Sequence, residues 1–403
     1  MPQNSPFSTY RFHEEYEDEV WQSPQLVKES YKDIHLLFER MSGSDFKMLN
    51  EYAKLSFLNQ GITYAVYSED KGGTEKIFPF DLFPRVIGKK EWEWLEKGLM
   101  QRNIALNLFI KDIYNKQQIL KDKIVPDHLI LSSKHYCKIM EEIKPKGEIY
   151  THICGTDLIK NSDGNFYVLE DNLRNPSGVS YVLSNRKALR RSLMDIFHKT
   201  KVKPVSDYPD ELLKVLESVA PKKGHDPVCV LLTPGLYNSA YYEHSFLAHT
   251  MGIELVEGPD LFVENDFVYM KTIKGSVKVD VIYRRIDDNF LDPAIFRKDS
   301  LLGVKGLMGV YAKGNVTLVN APGTGIADDK AICSYVPDMI KYYLDEDPII
   351  NNVPTYICER KKELEYVLAN IEKLVIKPVD MSGGYGVTIC DSISSEEIES
   401  LKN

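Results

Sequence analysis

The chain has 403 residues, of which 43% are hydrophobic and 27% are charged, a balance typical of a folded globular protein and not of a disordered or fibrous one. This length predicts two or three packed units instead of one small domain. The net charge of -9 argues against a protein that coats nucleic acid, and it is compatible with a cationic substrate.

The N-terminal segment and the cysteines indicate the compartment. The first 20 residues are polar and acidic and lack an apolar stretch, so we predict no signal peptide. No apolar run approaches the length of a membrane-spanning helix. The six cysteines form no C-x-x-C pair, which favours free thiols in a reducing compartment. We therefore expect a cytoplasmic protein that binds neither membranes nor nucleic acids.

The N-terminal part of the chain is predicted to be mainly helical. Helical periodicity covers residues 25–60, and extended segments follow at 61–68 and 75–87. A long helix is predicted over residues 89–120, because apolar residues recur there at spacings of three and four.

A β-hairpin follows, with the strands TDLIK and FYVLE on either side of a polar turn. We predict a two-residue loop at Asp163-Gly164. Pairing outward from that loop places Asp157 opposite Glu170, and Asn172 shares their face if the strand continues. Like charges placed directly opposite each other destabilise a sheet, so this pair requires an explanation.

Magnesium is one explanation for this face. Carboxylate and amide oxygens suit Mg²⁺, which keeps several waters and bridges to phosphates. A cation would also neutralise the repulsion between the carboxylates. An exposed face with solvated charges, or neutralisation by Arg174, explains the spacing equally well.

Downstream of this hairpin, residues 177–199 are predicted to begin as a strand and to continue as a helix. A β-α-β pattern then occupies residues 228–258 and predicts a parallel sheet that binds ligands at the carboxyl ends of its strands. A second hairpin is predicted over residues 266–286.

Two further segments contain candidate anion-binding groups. Arg284 and Arg285 end a predicted strand, where neighbouring side chains point to opposite faces, so at most one enters a shared site and the other lies on the surface. The segment NAPGTGIADDK predicts an anion-binding turn or, alternatively, a helix start capped by Asp328 or Asp329.

The C-terminal part contains a lysine beside a glycine-rich loop. Lys377 ends the apolar strand LVIK, and Gly383, Gly384 and Gly386 allow backbone N–H groups to approach an anion closely. This arrangement suits a phosphate group, although neither standard nucleotide motif is present. A glycine-rich hairpin turn is the alternative.

Taken together, these segments resemble the circularly permuted ATP-grasp type 2 family, relatives of the ATP-grasp domain of glutathionylspermidine synthase. The matching segments are GGTEKIFPFDLFPRVI, DLIKNSDGNFYVLEDNLRNPSGVSYVLSNR, VDVIYRRIDDNFLDP, NAPGTGIADDKAICSYVPDMIKYYL and KPVDMSGGYG, in the family's order. The resemblance implies an α/β (α+β) fold, namely a circularly permuted ATP-grasp with a helical N-terminal region and a Rossmann-like pre-ATP-grasp subdomain.

The resemblance also implies roles for individual residues. Asp157, Glu170 and Asn172 correspond to the Mg²⁺ ligands. The residues that correspond to the ATP-binding lysine and flexible loop are Lys377, Ser382, Gly383, Gly384 and Gly386. Circular permutation explains why they follow the metal ligands in the chain. Arg174 and Arg284 are candidate catalytic residues that would stabilise an acyl phosphate.

The implied activity is ATP- and Mg²⁺-dependent ligation of a small-molecule or peptide carboxylate to an amine acceptor, through an acyl phosphate. The implied regions are an N-terminal helical region (1–125), a metal-binding part (126–224), a β-α-β subdomain (225–330) and a nucleotide-binding part (331–403). Only 26 residues follow Lys377, where family members usually continue, so the last part is expected to be C-terminally shortened. A catalytically silent relative or truncated fragment that acts as a binding protein, and an ATP-dependent phosphotransferase, remain as alternatives.

Overall fold

The computed structural model describes residues 5–14, 17–68, 72–221, 224, 226–379 and 386–402. The strands are β1 (Trp21–Ser23), β2 (Leu26–Val27), β3 (Thr63–Ser68), β4 (Gly72–Ile77), β5 (Gly155–Lys160), β6 (Phe166–Asn172), β7 (Cys229–Leu232), β8 (Glu254–Val256), β9 (Leu261–Glu264), β10 (Phe267–Thr272), β11 (Gly275–Val279), β12 (Val281–Arg284), β13 (Thr317–Val319), β14 (Val375–Ile376) and β15 (Thr388–Ile389). The α-helices are α1 (Lys32–Arg40), α2 (Gly43–Asn59), α3 (Lys89–Ile113), α4 (Gln118–Lys121), α5 (Asp127–Leu131), α6 (Val179–Ser192), α7 (Met194–Lys199), α8 (Tyr208–Ser218), α9 (Tyr241–Met251), α10 (Asp288–Leu291), α11 (Leu307–Ala312), α12 (Lys330–Cys333), α13 (Val336–Leu344), α14 (Lys361–Asn370) and α15 (Ser395–Lys402).

A parallel four-stranded sheet lies at the centre of the fold, in the order β13-β12-β7-β8. Side chains alternate between its two faces. One face, with Val230 and Ile282, belongs to the main core that α3 and α13 share, whereas the other, with Leu231 and Val281, packs with residues of α8 and α9. Because β7, α9 and β8 follow one another in the chain, the predicted β-α-β unit is confirmed.

The second predicted hairpin is right only in its first part. Strands β10 and β11 pair antiparallel, but the chain then leaves them, and β12 joins the parallel sheet between β7 and β13. All four residues of β12 are buried. An apolar run of this kind is what a strand covered on both faces requires.

The long predicted helix is interrupted. The helix α3 ends at Ile113, and Gln117 takes up a left-handed conformation with φ of 53° before α4 begins. The Asp112 carboxylate accepts hydrogen bonds from the N–H groups of Gln118 and Ile119, at 2.9 and 2.8 Å. The Asp112 carboxylate therefore caps the N–H groups at the start of α4.

The predicted strand-like start of residues 177–199 is wrong, because α6 is already helical from Val179. The carboxylate of Glu243 on α9 accepts hydrogen bonds from the N–H groups of Gly178 and Ser180, at 2.7 and 3.1 Å. A side chain distant in sequence thus supplies the cap for this helix.

The remaining extended segments agree in part with the predictions. The segment at 61–68 contains β3, whereas the strand predicted over 75–87 ends at Ile77. Strands β14 and β15 pair antiparallel, the arrangement that the hairpin alternative for this segment describes. None of the helices in the described ranges is both long enough and apolar enough to cross a membrane. The division of the chain into four regions stays a prediction.

Candidate functional site

The hairpin β5–β6 positions the predicted metal-binding face. Asp157 pairs directly with Glu170, which confirms the predicted register. The predicted loop is wrong, however, because Asn161 and Asn165 close a longer turn in which the Asn161 N–H donates to the Asn165 carbonyl at 2.9 Å. From that turn the strands pair as far as Leu158 and Val168.

A bulge at Leu169 corrects the offset that the longer turn introduces, since two residues of β6 advance there for one residue of β5. The bulge also exchanges the faces of β6. Phe166 and Val168 are buried before it, whereas Asp171 is buried after it. Glu170 and Asn172 consequently flank a buried residue and share the outer face.

The two opposed carboxylates on the outer face disturb each other. Partial burial, the charge of Glu170 and a hydrogen bond with that side chain together raise the pKa of Asp157. These are the signs of two carboxylates that share a site without enough positive charge. The amide of Asn172 lies beside them and donates to the Gly155 carbonyl at 3.3 Å.

Two lysines approach this face from the C-terminal half of the chain. The ammonium of Lys330 lies 3.8 Å from a carboxylate oxygen of Glu170. The pKa of Asp157 is raised overall, and the positive charge of Lys377 opposes that rise. The predicted lysine therefore lies within electrostatic reach of Asp157. The Lys330 N–H donates to the Val379 carbonyl at 3.2 Å, which ties the segment after β14 to the start of α12.

The other predicted members of the phosphate-binding loop are mostly outside the described residues. The described residues do not include Ser382, Gly383 or Gly384. Gly386 is described, is exposed and has φ of 70°, a conformation that favours glycine.

A buried ion pair holds the hairpin against α3. Arg102 donates to the Asp171 carboxylate at 2.6 and 2.9 Å, and both side chains are almost completely buried. Arg102 also donates to the Asn352 side chain at 2.8 Å, and the Thr156 hydroxyl donates to Asp171 at 3.0 Å. The outer face of β6 therefore lies directly above a fixed charge pair.

Arg174 follows β6 and faces a cavity of about 360 Å³. Its guanidinium lies 3.3 Å from Asp287 and 3.8 Å from Asp328. Among the described residues, no acceptor forms a hydrogen bond with its buried Nε. Burial raises the pKa of Asp328 to about 7, although that carboxylate accepts from the N–H of Leu173 and lies close to the Arg174 charge.

Arg284 differs from Arg174 in its surroundings. It is completely buried, and it donates to the carbonyl oxygens of Asn320, Ile286 and Ala321 at 2.7–3.0 Å. Its other contact is an ion pair with Asp288 at 2.7 Å. No exposed atom of Arg284 is available to a substrate, which argues for a role in positioning Asp288 and not for direct catalysis.

The expectation that one arginine of this pair lies on the surface is wrong. Arg285 is also buried, and it pairs with the buried Glu243 at 3.3 Å. The carboxyl end of β12 is covered by other segments of the chain, so both side chains find partners inside the fold.

The helix-capping alternative for the segment 320–330 is confirmed. The Asp329 carboxylate accepts hydrogen bonds from the N–H groups of Ala331 and Ile332, at 2.8 and 3.2 Å. Asp328 instead accepts from the chain after β6. The consecutive aspartates thus have separate roles: Asp329 caps the start of α12, and Asp328 holds the chain that follows β6.

Comparison with known proteins decides the family. A sequence profile of the circularly permuted ATP-grasp type 2 family matches residues 84–403. The chain belongs to this family. A protein of Synechocystis sp., whose function is uncharacterized, is 48% identical over 94% of this chain and 79% of its own length. An uncharacterized protein of Mycobacterium tuberculosis is 45% identical over 95% of this chain and 69% of its own length.

Two other similarities concern ligase-like proteins. A Frankia casuarinae protein, provisionally named glutamate–cysteine ligase 2-2, is 36% identical over 92% of this chain. The chain spans only 43% of that relative. The structure of a glutathione synthetase-like effector from Globodera pallida in its apo form has a TM-score of 0.50 and 13% identity, over 76% of this chain and 69% of that one. This second likeness concerns the fold alone.

The circularly permuted ATP-grasp fold places most of the predicted residues around the hairpin. Asp157, Glu170, Asn172 and Lys377 come together, and Arg174 lies further along the same chain segment. Sequence reasoning missed the approach of Lys330 and Asp328 to β6. Both belong to the NAPGTGIADDK segment, but only the pairing of that segment with β6 reveals their position.

Proposed function

We propose that this chain is an ATP- and Mg²⁺-dependent carboxylate–amine ligase. Membership of the ATP-grasp family and similarity to a ligase-named relative point to an ATP-dependent ligase. The observation that carries the narrower proposal is the direct pairing of Asp157 with Glu170 on a face that Lys377 approaches. Acidic oxygens beside a lysine are what a metal-bound polyphosphate needs.

The residues on this face fit Mg²⁺. Asp157, Glu170 and Asn172 offer only hard oxygen donors, and partial burial together with the charge of Glu170 raises the pKa of Asp157. Within the described residues, no group of three or more His, Cys, Asp or Glu side chains suits a metal. Two carboxylates and an amide are nevertheless a usual protein contribution, because Mg²⁺ completes its shell with waters and phosphates. When bound, Mg²⁺ would neutralise phosphate charge.

The proposed reaction has two steps. A carboxylate oxygen of the first substrate forms a bond to the γ-phosphorus of ATP, and the bond to ADP breaks. The amine of the second substrate then bonds to the acyl carbon, phosphate leaves with the electron pair, and the amine releases a proton to solvent. Positioning and charge neutralisation supply most of the rate in such phosphoryl transfers.

Individual side chains would contribute as follows. Lys377 would bind ATP phosphates, as would the loop that includes Gly386. Arg174 would face the acyl phosphate, since its guanidinium has only long contacts with the neighbouring carboxylates. Arg284 would act indirectly, because its donors are occupied by backbone carbonyls and Asp288.

Titration calorimetry with Mg-ATP tests the proposal. We expect saturable binding to the unmodified chain and at least a tenfold loss of affinity in the Asp157→Asn/Glu170→Gln double variant. The matched control is Glu51→Gln/Asp299→Asn, which removes two exposed carboxylates that pair with Lys54 and Arg297 and leaves the hairpin intact. Absence of Mg-ATP binding in the unmodified chain, or equal binding in both double variants, would reject the metal site.

Product analysis distinguishes ligation from transfer to a hydroxyl group. A ligase releases phosphate and ADP only when a carboxylate and an amine are both present. A phosphotransferase leaves a stable phosphorylated product and needs no amine. Detection of that product by ³¹P NMR, with ADP formation independent of an amine, would favour the phosphotransferase.

A further inference from the structure

The cavity beside Arg174 contains side chains of both charges. Arg174 and Lys134 line it together with the acidic Asp287 and Asp288, and His135 lies within electrostatic reach of all four. Its volume of about 360 Å³ falls within the range of small-molecule sites, roughly 300–1,000 Å³. A cavity with cations and carboxylates so close together is complementary to a ligand that also carries both charges.

One buried polar atom that faces this cavity lacks the partner that burial normally requires. Within the described ranges, the buried Nε of Arg174 forms no hydrogen bond, and neither does the buried Oδ1 of the next residue, Asn175. Asp288, by contrast, contacts Arg284 at 2.7 Å and accepts from the Gly323 N–H at 2.8 Å. Buried donors are almost always satisfied in folded proteins, so the unpaired Arg174 donor at this cavity points to a ligand.

The existing contacts of Arg174 leave room for that ligand. Its ion pair with Asp287 joins single atoms at 3.3 Å, and its distance to Asp328 is 3.8 Å. By contrast, Arg102 forms a short, forked contact with Asp171. A carboxylate that accepts two parallel hydrogen bonds from Arg174 would therefore gain a contact that no group among the described residues provides.

We infer that this cavity binds a free α-amino acid, with its carboxylate against Arg174 and its ammonium group against Asp287 and Asp288. Arg174 lies two residues beyond Asn172, one of the proposed metal ligands, so the bound carboxylate lies near the end of β6. The assignment of this amino acid as the carboxylate substrate rests on the proposed function, whereas its binding does not.

The geometry has a consequence for specificity. An amine held as an ammonium ion by two carboxylates has no lone pair, so it cannot act as the nucleophile. The amino acid would donate its carboxylate to the amide, and a second molecule would supply the amine. Self-condensation through the bound amine is thereby suppressed.

Binding experiments without ATP or Mg²⁺ test this inference. The twenty common L-amino acids are screened by saturation-transfer NMR, and the tightest is titrated beside its N-acetyl and carboxamide derivatives. We expect one or more free amino acids to bind and both derivatives to bind at least tenfold more weakly. The unmodified protein alone suffices for this comparison, so a variant that fails to fold does not obstruct it.

Two variants test which charge meets which group. Arg174→Gln should weaken the free amino acid at least tenfold and leave the weak binding of the carboxamide unchanged. Asp287→Asn should weaken the free amino acid similarly and leave the N-acetyl derivative unchanged. The matched controls are Arg85→Gln and Glu19→Gln, which interrupt an ion pair in the N-terminal part and should have no effect.

Three results would overturn the inference. The first is that none of the twenty amino acids binds, and the second is that the N-acetyl derivative binds as tightly as the free amino acid. The third is that inorganic phosphate at equal concentration displaces the amino acid, which would indicate a plain anion site. The proposed function fails separately, through the loss of Mg-ATP binding. Conversely, ADP release only with carboxylates that carry no amino group would retain the ligase and reject the assignment of the bound amino acid as its carboxylate substrate.

Discussion

Replacement of Arg102 by methionine is expected to cost about 5 kcal/mol of unfolding free energy. The substitution keeps much of the side-chain volume but leaves the Asp171 carboxylate buried with two uncharged side-chain donors, the Thr156 hydroxyl at 3.0 Å and the Cys333 thiol at 3.7 Å. Removing one partner of a buried ion pair typically costs 3–5 kcal/mol, because the other charge stays uncompensated. Asn352 loses a hydrogen bond as well, which contributes about 1 kcal/mol.

Urea unfolding followed by tryptophan fluorescence measures this cost. Two of the three tryptophans, Trp92 and Trp94, lie on α3, so the signal reports on the helix that carries Arg102. The slope of free energy against urea should stay unchanged, since a change in slope would mean that the unfolding reaction itself had changed. Domains of this kind are stable by about 5–15 kcal/mol, so the expected loss is a large fraction of the total.

Two further variants determine whether the charge pair is responsible. Arg85→Met removes an exposed partner of Glu19 and should cost less than about 1 kcal/mol. Arg102→Met combined with Asp171→Leu removes both buried charges and should recover at least half of the loss. If Arg102→Met costs no more than Arg85→Met, the pair does not hold the hairpin, and the reasoning is wrong.

Three other substitutions test the structure around the cavity and the hairpin. Asp157→Asn should raise the stability of the metal-free protein at pH 7 by a few tenths to about 1 kcal/mol, because it relieves like-charge repulsion. The same substitution should abolish stabilisation by Mg²⁺. Thermal unfolding with and without Mg²⁺ checks both results, and a loss of metal-free stability would contradict the argument. Asp328 has a folded pKa of about 7, above its unfolded value, so the folded state binds more protons and the contribution of Asp328 to stability is lost as pH rises from about 4 through 7. The urea midpoint should therefore fall over this pH range, and Asp328→Asn should reduce the fall. An unchanged pH profile in the variant would refute the assignment. Gly323→Ala should cost about 2–3 kcal/mol in urea unfolding, because the residue has φ of 82° and the added Cβ would lie 2.4 Å from the Tyr114 hydroxyl. Gly314→Ala is the control: at φ of 68° with open space around the added Cβ, it should cost only about 1 kcal/mol. Equal costs would show that the contact is unimportant.

The elements that sequence reasoning predicted correctly are those set by local patterns. The apolar runs of β7 and β8 with a helix between them required no knowledge of distant residues. The polar turn and alternating strands likewise predicted the hairpin and the Asp157–Glu170 pair. The loop itself was wrong, and the pair formed only because the bulge at Leu169 compensates for the longer turn.

The features that escaped prediction depend on partners far along the chain. The start of α6 is set by Glu243, which lies 65 residues beyond Gly178. Strand alternation correctly separated Arg284 from Arg285, but it gave no sign that both would be covered by other segments. Lys330 reaches Glu170 only because the segment before α12 runs beside β6. No local propensity encodes such contacts.

The bulge at Leu169 also determines which insertions and deletions this hairpin tolerates during evolution. Lengthening the tip between Asn161 and Asn165 leaves the strand beyond the bulge in phase, so lineages can vary the tip freely. Deleting Leu169 alone would remove the extra residue, so that Val168 and Asp171 stay inward, Glu170 and Asn172 stay on the outer face, and Glu170 still pairs with Asp157. Length variation among relatives is therefore expected at the tip and at the bulge position itself.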